Sequence, residues 1–126
     1  LLARGYKPSE AEQSGRRVQA LMDLHEARSR VASDPIAAQL MLGRTIEQII
    51  DFAFAANGRW LPPPAERRSA LAQADRGAAV LLEACFQGFD LAANVRAAER
   101  FADKVLGARM PPDWIGPRVP AATTGL

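Results

Sequence analysis

Apolar residues recur every three or four positions through most of this 126-residue chain, and this spacing constrains the fold more than any other feature. The spacing matches one face of an α-helix, which has 3.6 residues per turn. Alanine dominates the apolar residues, whereas Val, Ile, Thr and Tyr, which favour strands, are sparse. The sequence therefore predicts an all-α fold.

Polar caps and helix breakers set the bounds of the first two helices. Ser9 and Glu12 form a capping-box pattern, which predicts a helix from about Glu10 to Ala32. The pair Asp34-Pro35 suits the start of a second helix. This helix is expected to end at Asn57-Gly58, because both residues tolerate the left-handed conformation of a C-terminal cap.

The second half of the chain predicts one short helix and two longer ones. A short helix is expected over residues 65–74, after a proline run. Longer helices are expected over Asp75–Gln87 and Asp90–Leu106. The segment Asp75–Gln87 is apolar almost all round, which indicates a central position or cover by a partner. Four longer helices with short connections predict an antiparallel up-and-down four-helix bundle, with the short extra helix in the long central connection.

The chain length fits one domain. We expect the helical bundle to span residues 1–110. Residues 111–126 are rich in Pro and Gly and predict a partly disordered tail, with Trp114 tying it to the bundle. The chain begins at Leu1 rather than Met, which leaves open a processed piece, a separate domain or part of a longer polypeptide.

Charge and cysteine content narrow the partners and the location. The net charge is +2, and charges of both signs alternate along the chain, so nucleic-acid binding is not predicted. The single cysteine, Cys85, excludes an intramolecular disulfide and favours a cytoplasmic location. No apolar run reaches the ~18 residues of a membrane-spanning helix, so no membrane association is predicted.

The sequence lacks the common catalytic and metal-binding motifs. His25 is the only histidine, so the paired histidines or Glu-x-x-His motifs of helical metal sites are missing. No phosphate-binding glycine loop occurs. We therefore predict no metal, no cofactor and no catalytic residues in this chain alone. Cys85 is expected to be a buried, inert thiol, and His25 a boundary histidine hydrogen-bonded to a neighbour.

A polar row on the second helix is the best candidate for a binding site. Arg44, Glu47 (or Gln48) and Asp51 lie three or four residues apart, so they project from one face of the helix. Arginine could bind an anionic or hydroxylated ligand, and a carboxylate could accept a proton from a hydroxyl. The alternative is a solvated face with internal salt bridges.

Two residues after the second helix are further candidates. Trp60 is expected to plug the end of the bundle or to stack on a ligand. Arg59 is expected to satisfy free carbonyls at the helix end or to bind a phosphate.

The run from Ile46 to Pro62, IEQIIDFAFAANGRWLP, resembles the C-terminal helical domain of bacterial nucleotidyltransferases of the kanamycin nucleotidyltransferase-like group. In that family an apolar helix ends in a similar Asn-x-Arg-aromatic corner, followed by a short helix with a Leu, here Leu71, and two further helices. The resemblance implies a bundle that packs beside a catalytic domain and helps to form the acceptor-substrate pocket. It also implies that Glu47 is the first residue to test as a base. The family's Gly-Ser pair and paired aspartates, which hold Mg²⁺, are missing from this chain.

Two functions are therefore expected ahead of a third, which is an independent small-molecule enzyme or sensor with a pocket inside the bundle. One is a non-catalytic helical domain or subunit that binds the acceptor substrate beside a nucleotidyltransferase catalytic domain. Its tentative substrate-binding residues are Arg44, Glu47, Asp51, Arg59 and Trp60. The alternative is a protein-association module, for dimerisation or of the antitoxin type, with no small-molecule ligand. Homo-oligomerisation is expected in either case.

Overall fold

The computed structural model describes residues 8–107, which form five α-helices and one 3₁₀ turn, with no strand among them. The elements in chain order are α1 (Glu10–Arg30), α2 (Pro35–Ala56), the 3₁₀ turn (Pro64–Glu66), α3 (Arg67–Ala74), α4 (Arg76–Ala84) and α5 (Leu91–Leu106). The predicted all-α class is confirmed. The predicted tail 111–126, including Trp114, lies outside the described residues.

The predicted N-terminal caps are confirmed. The Ser9 hydroxyl accepts a hydrogen bond from the Glu12 backbone N–H (3.1 Å), and the Glu12 carboxylate accepts one from the Ser9 N–H (2.9 Å). Asp34, Asp75 and Asp90 each accept from the backbone N–H three residues on, at 3.2, 3.1 and 2.8 Å. These side chains replace the hydrogen bonds that the first turn of a helix cannot make internally.

The helix predicted over Asp75–Gln87 is shorter than expected. α4 ends at Ala84, and the chain then continues in tight turns, with the Phe86 N–H donating to the Glu83 carbonyl at 3.0 Å. The Asn94 side chain of α5 accepts from the Gly88 N–H at 2.7 Å, which holds this connection against α5. Val80 is exposed, so the helix is not central within this chain, and cover by a partner stays a prediction.

The core lies where α1, α2 and α5 meet, and α4 and α3 extend it. α1 packs on α2 and α5, α2 packs on α5, and α4 packs chiefly on α5 and α3. Ion pairs and hydrogen bonds between the helices show their relative directions. Arg16 pairs with Asp51 (4.0 Å) and Gln48 donates to Asp23 (3.1 Å), so α1 and α2 are antiparallel. The most deeply buried large side chains are Phe101, Ile49, Thr45 and Cys85.

The position of α4 leaves a groove between α4 and α2. Asp75, the N-cap of α4, lies 3.8 Å from Lys104 near the end of α5, so α4 and α5 are also antiparallel. Because α4 packs on α5 and α3 more than on α2, the surfaces of α2 and α4 remain partly separated. This separation produces the groove described next.

Candidate functional site

A groove of about 450 Å³ lies between α2, α3 and α4. Hereafter it is called the α2–α4 groove. Its lining residues combine buried apolar side chains with charged ones: Gly43, Ile46, Glu47 and Ile50 of α2, Pro64 of the 3₁₀ turn, Arg67 and Arg68 of α3, and Leu82, Glu83, Phe86 and Gln87 at the end of α4. An apolar base with a few charged groups at its edge is typical of ligand-binding clefts.

Arg67 sets the geometry of the groove on its α3 side. Its Nη1 donates to the Glu47 carboxylate of α2, and its Nε donates to the Pro62 carbonyl at 2.8 Å. Only 18% of the Arg67 side chain is exposed, whereas 54% of the Glu47 side chain is exposed. A guanidinium can hold two acceptors in a fixed arrangement, so Arg67 fixes both the proline corner and the Glu47 carboxylate.

The next residue ties α3 to the opposite side of the groove. Arg68 lies 3.5 Å from the Glu83 carboxylate of α4, and the two side chains are 71% and 40% exposed. An exposed ion pair of this kind contributes little to stability, about 0–1 kcal/mol. Together, however, Arg67 and Arg68 place α3 across one end of the groove between α2 and α4.

The predicted polar row of α2 does not form one site. Glu47 points to α3 and pairs with Arg67, whereas Asp51 lies towards α1 and pairs with Arg16. Arg44 is exposed and makes no hydrogen bond or ion pair with any residue from 8 to 107. Of the three predicted residues, only Glu47 lines the groove.

Asp51 belongs instead to a polar interface between α1 and α2. In this interface Asp23 accepts hydrogen bonds from Gln19 (2.9 Å) and from Gln48 (3.1 Å). The Arg17 guanidinium lies 5.9 Å from the centre of the Phe52 ring, within the range of a cation–π contact. These interactions align α1 with α2 and account for Gln48, which the sequence offered as an alternative to Glu47.

The corner after α2 is a complete Schellman C-cap. Gly58 has φ of +68°, its N–H donates to the Ala55 carbonyl (3.0 Å), and the Arg59 N–H donates to the Phe54 carbonyl (2.9 Å). The Asn57 side chain adds a hydrogen bond to the Ala53 carbonyl (2.9 Å). The backbone N–H of Arg59 satisfies a helix-end carbonyl, whereas the predicted role of its side chain stays a prediction.

The side chains of Arg59 and Trp60 lie away from the groove. Arg59 lines a separate small cavity of about 130 Å³, shared with Asp75 and Lys104. Trp60 is 52% exposed. The prediction that Trp60 plugs the end of the bundle is therefore wrong, because a side chain that filled the end would be buried.

Cys85 is buried at the end of α4, where its thiol donates to the Leu81 carbonyl (3.3 Å). Burial raises the pKa of this thiol from 9.0 to about 11, although the nearby Arg100 guanidinium and a backbone hydrogen bond act in the opposite direction. The prediction of a buried thiol is confirmed, and the raised pKa is in keeping with low nucleophilicity. His25 is exposed and makes no hydrogen bond with a described residue, contrary to expectation.

Arg67 is the site residue that sequence reasoning missed. It is 20 positions from Glu47, and no helical spacing relates the two residues. The only sequence signal near Arg67 is the run of three prolines shortly before it. Such a run indicates a turn, and it does not indicate a contact with α2.

Two further observations concern metals and membranes. Among residues 8–107, no three His, Cys, Asp or Glu side chains are grouped so that they could hold a metal ion. Within the same range, no helix has both the length and the apolar character needed to cross a bilayer. Comparison with protein-family models, with curated proteins and with solved structures gives no match to this chain.

Proposed function

We propose that this chain is a non-catalytic helical domain or subunit that binds the acceptor substrate beside a nucleotidyltransferase catalytic domain. The acceptor-facing surface is the α2–α4 groove. The observation that carries the proposal is the Glu47 carboxylate, which Arg67 holds at the edge of an apolar groove. The resemblance of residues 46–62 to the helical domain of these enzymes supplies the reaction class. We also propose that α1, α2, α4 and α5 form an antiparallel up-and-down four-helix bundle. α3 lies in its central connection, between α2 and α4.

The dimensions and chemistry of the groove suit a small hydroxylated acceptor. Its volume of about 450 Å³ falls within the ~300–1,000 Å³ of small-molecule sites. Ile46, Ile50 and Leu82 supply an apolar base, against which the carbon skeleton of an acceptor can pack. Charged groups at the edge can fix its orientation.

Glu47 can make the central contact with the acceptor substrate. Arg67 donates to one carboxylate oxygen, Oε1, and the half-exposed side chain leaves Oε2 able to accept a hydrogen bond from an acceptor hydroxyl. The catalytic partner would hold the nucleotide and metal. This chain would orient the attacking hydroxyl, so positioning is its contribution to the rate.

Arg44 and the Arg59–Trp60 corner have secondary roles in this proposal. Arg44 follows Gly43 in the sequence but does not line the groove. It makes no hydrogen bond or ion pair with a described residue, so we assign its guanidinium to an anionic or hydroxylated part of the ligand that extends beyond the groove. Arg59 and Trp60 follow the end of α2, and Asp51 lies on the α1 side. None of these three residues lines the groove, so their part in this proposal is secondary to that of Glu47. The setting we propose is the bacterial cytoplasm, without nucleic acid.

The test has two stages. First, the reading frame and its immediate neighbours are searched for a Gly-Ser segment followed by an Asp-x-Asp segment; finding none argues against the proposal. Second, the chain is assembled with that catalytic domain, and nucleotidyl transfer is measured for Glu47→Gln. This variant keeps an acceptor for Arg67 but removes the carboxylate, and we expect turnover to fall about 100-fold.

The matched control for this test is Glu99→Gln. Glu99 is an α5 carboxylate that pairs with Arg28 at 3.3 Å, away from the groove. We expect the control to retain full turnover and acceptor KM. If Glu47→Gln behaves like the control, Glu47 is not part of the acceptor site.

A second candidate function is a protein-association module without a small-molecule ligand. It is favoured by the large apolar side chains that are exposed: Ile36, Leu40, Val80, Phe86 and Phe89, together with Trp60. Such side chains often mark interaction surfaces when they are contiguous. This candidate predicts that Glu47→Gln is silent and that Phe86→Ser weakens complex formation, measured as the mass of the complex in light scattering; the reverse pattern rejects it.

A further inference from the structure

One face of α2 is apolar and exposed over its first three turns. Ile36 is 71% exposed and Leu40 is 73% exposed, and Gly43 follows on the same face at helical spacing. Together with the two isoleucines that line the α2–α4 groove, they form a continuous stripe: Ile36, Leu40, Gly43, Ile46 and Ile50. The stripe projects outwards at its start and is recessed in the groove at its end.

Gly43 has no explanation within the described chain. It lies inside a 22-residue helix, where Gly costs about 0.5–1 kcal/mol relative to Ala. A Cβ built at this position meets no atom within 4 Å, so the fold of the chain leaves room for a side chain there and does not itself require glycine. A close approach by another surface would require it.

The spacing about Gly43 is symmetrical. Leu40 and Ile36 precede it by three and seven residues, and Ile46 and Ile50 follow it by three and seven. In an antiparallel pair of identical helices with a two-fold axis at Gly43, a residue n positions before Gly43 faces the residue n positions after it in the other copy. Each projecting side chain would therefore meet the recessed base of the other copy's groove.

We propose that a second copy of this chain docks here, with the two α2 helices antiparallel and crossing at Gly43. Leu40 of each copy would enter the α2–α4 groove of the other, against Ile46 and Phe86. Phe86 lines the groove and is itself 69% exposed, so it can cover the incoming side chain. The absence of a side chain at Gly43 allows the two backbones to approach.

The charges near the crossing are compatible with this arrangement. Under the same symmetry Glu47 faces Gln39, whose amide can donate a hydrogen bond to a carboxylate. A self-complementary surface of this kind is what a two-fold interface needs.

The exposed apolar side chains supply part of the area that a dimer needs. Ile36, Leu40 and Phe86 together expose on the order of 400 Å², about half of the ~800 Å² that each partner contributes to a stable interface. The groove walls must supply the remainder. We therefore expect a dimer that dissociates in the micromolar range rather than an obligate one.

The inference stands independently of the acceptor-binding proposal. Because the Leu40 side chain of the second copy would occupy the groove assigned to the acceptor, the dimer and the acceptor-bound form exclude each other. Self-association would thus block the groove that we assign to the acceptor. A dimer that Leu40→Glu abolishes supports this inference whatever effect Glu47→Gln has in the transfer assay, so the two proposals can fail separately.

The experiment measures mass against concentration by sedimentation velocity, from low micromolar to several hundred micromolar chain. Leu40→Glu places a charge at the proposed contact on a side chain that is already exposed, so the fold should be retained. Its matched control is Val80→Glu, an exposed apolar residue of α4 outside the stripe. We expect the wild type and the control to dimerise and Leu40→Glu to remain monomeric.

Gly43 provides a second variant that separates docking from folding. Gly43→Gln has space for its side chain and improves helix propensity, so its melting temperature should match or exceed that of the wild type while the dimer is lost. Under mild oxidation, Gly43→Cys should cross-link two copies and Val80→Cys should not. Cys85 is buried and common to both variants.

Three results would overturn the proposal. One is a dimer that survives both Leu40→Glu and Gly43→Gln. The second is a chain that remains monomeric at all concentrations with a melting temperature unchanged by Leu40→Glu, which would leave the stripe to a different protein. The third is a monomer that Leu40→Glu destabilises, which would mean that the same chain covers the stripe.

Discussion

The Arg67 guanidinium joins the Glu47 carboxylate of α2 to the Pro62 carbonyl of the connection, across 20 residues of sequence. This contact closes one end of the α2–α4 groove and fixes the only predicted polar-row residue that lines it. The Arg67 side chain is also the least exposed among the ion-paired arginines of the described chain.

Removing this arginine should destabilise the fold more than removing its neighbour. We expect Arg67→Ala to lower the free energy of unfolding by about 1–2 kcal/mol, because it leaves a partly buried carbonyl and a carboxylate without their donor. Arg68→Ala is the control. Its side chain is 71% exposed, so the cost should stay within about 0.5 kcal/mol. Urea denaturation measures both, and equal losses would contradict the assigned role of Arg67.

Gly58, which follows the end of α2, should tolerate substitution less well than a glycine inside a long helix. Its φ of +68° is strained for any residue with a Cβ, so Gly58→Ala should cost about 1 kcal/mol. Gly15, inside α1 with open space around a built Cβ, is the matched control. Gly15→Ala should instead stabilise the protein by about 0.5–1 kcal/mol. Thermal unfolding distinguishes the two, and a stabilising Gly58→Ala would refute the cap geometry.

Two phenylalanines should differ sharply in their contribution to stability. Phe101 of α5 is fully buried in the core, and Phe101→Ala should cost about 3–5 kcal/mol through lost burial and the cavity left behind. Phe89 is fully exposed in the connection between α4 and α5. For dilute monomer, Phe89→Ala should change the free energy of unfolding by less than about 0.5 kcal/mol. Chemical denaturation tests the pair; a small loss at Phe101 would indicate that the core is packed differently.

The Cys85 thiol should make stability depend on pH above the neutral range. Its folded pKa of about 11 lies above the reference value of 9.0, so the folded state favours the neutral thiol. The resulting stabilisation is present below about pH 9 and is lost as the pH rises from about 9 to about 11. Wild type and Cys85→Ala are compared by denaturation at about pH 8 and about pH 10.5.

The difference between these two proteins isolates the thiol, since every other titrating group is common to both. The wild type should lose more stability than Cys85→Ala over this interval. Alkylation of Cys85 should also be slow in the folded protein and become fast in denaturant. An equal loss in both proteins would show that the thiol is not held neutral by burial.

The helix starts and the all-α class were predictable because their causes are local. Asp34, Asp75 and Asp90 accept hydrogen bonds from residues only three positions away, and Gly58 adopts its left-handed conformation within its own helix end. These interactions need no other part of the chain. The end of α4 was not predictable in the same way, because Asn94 of the next helix holds Gly88.

The sequence by itself determined which segments are helical and which of their faces are apolar, since both depend on spacing and capping within a few residues. It placed Arg44, Glu47 and Asp51 on one side of α2 for the same reason. Only the tertiary structure decided that Asp51 turns to α1 and Glu47 to α3, and that Arg67 rather than Arg44 completes the edge of the groove. These outcomes depend on which helices become neighbours, and packing between segments distant in sequence sets that arrangement.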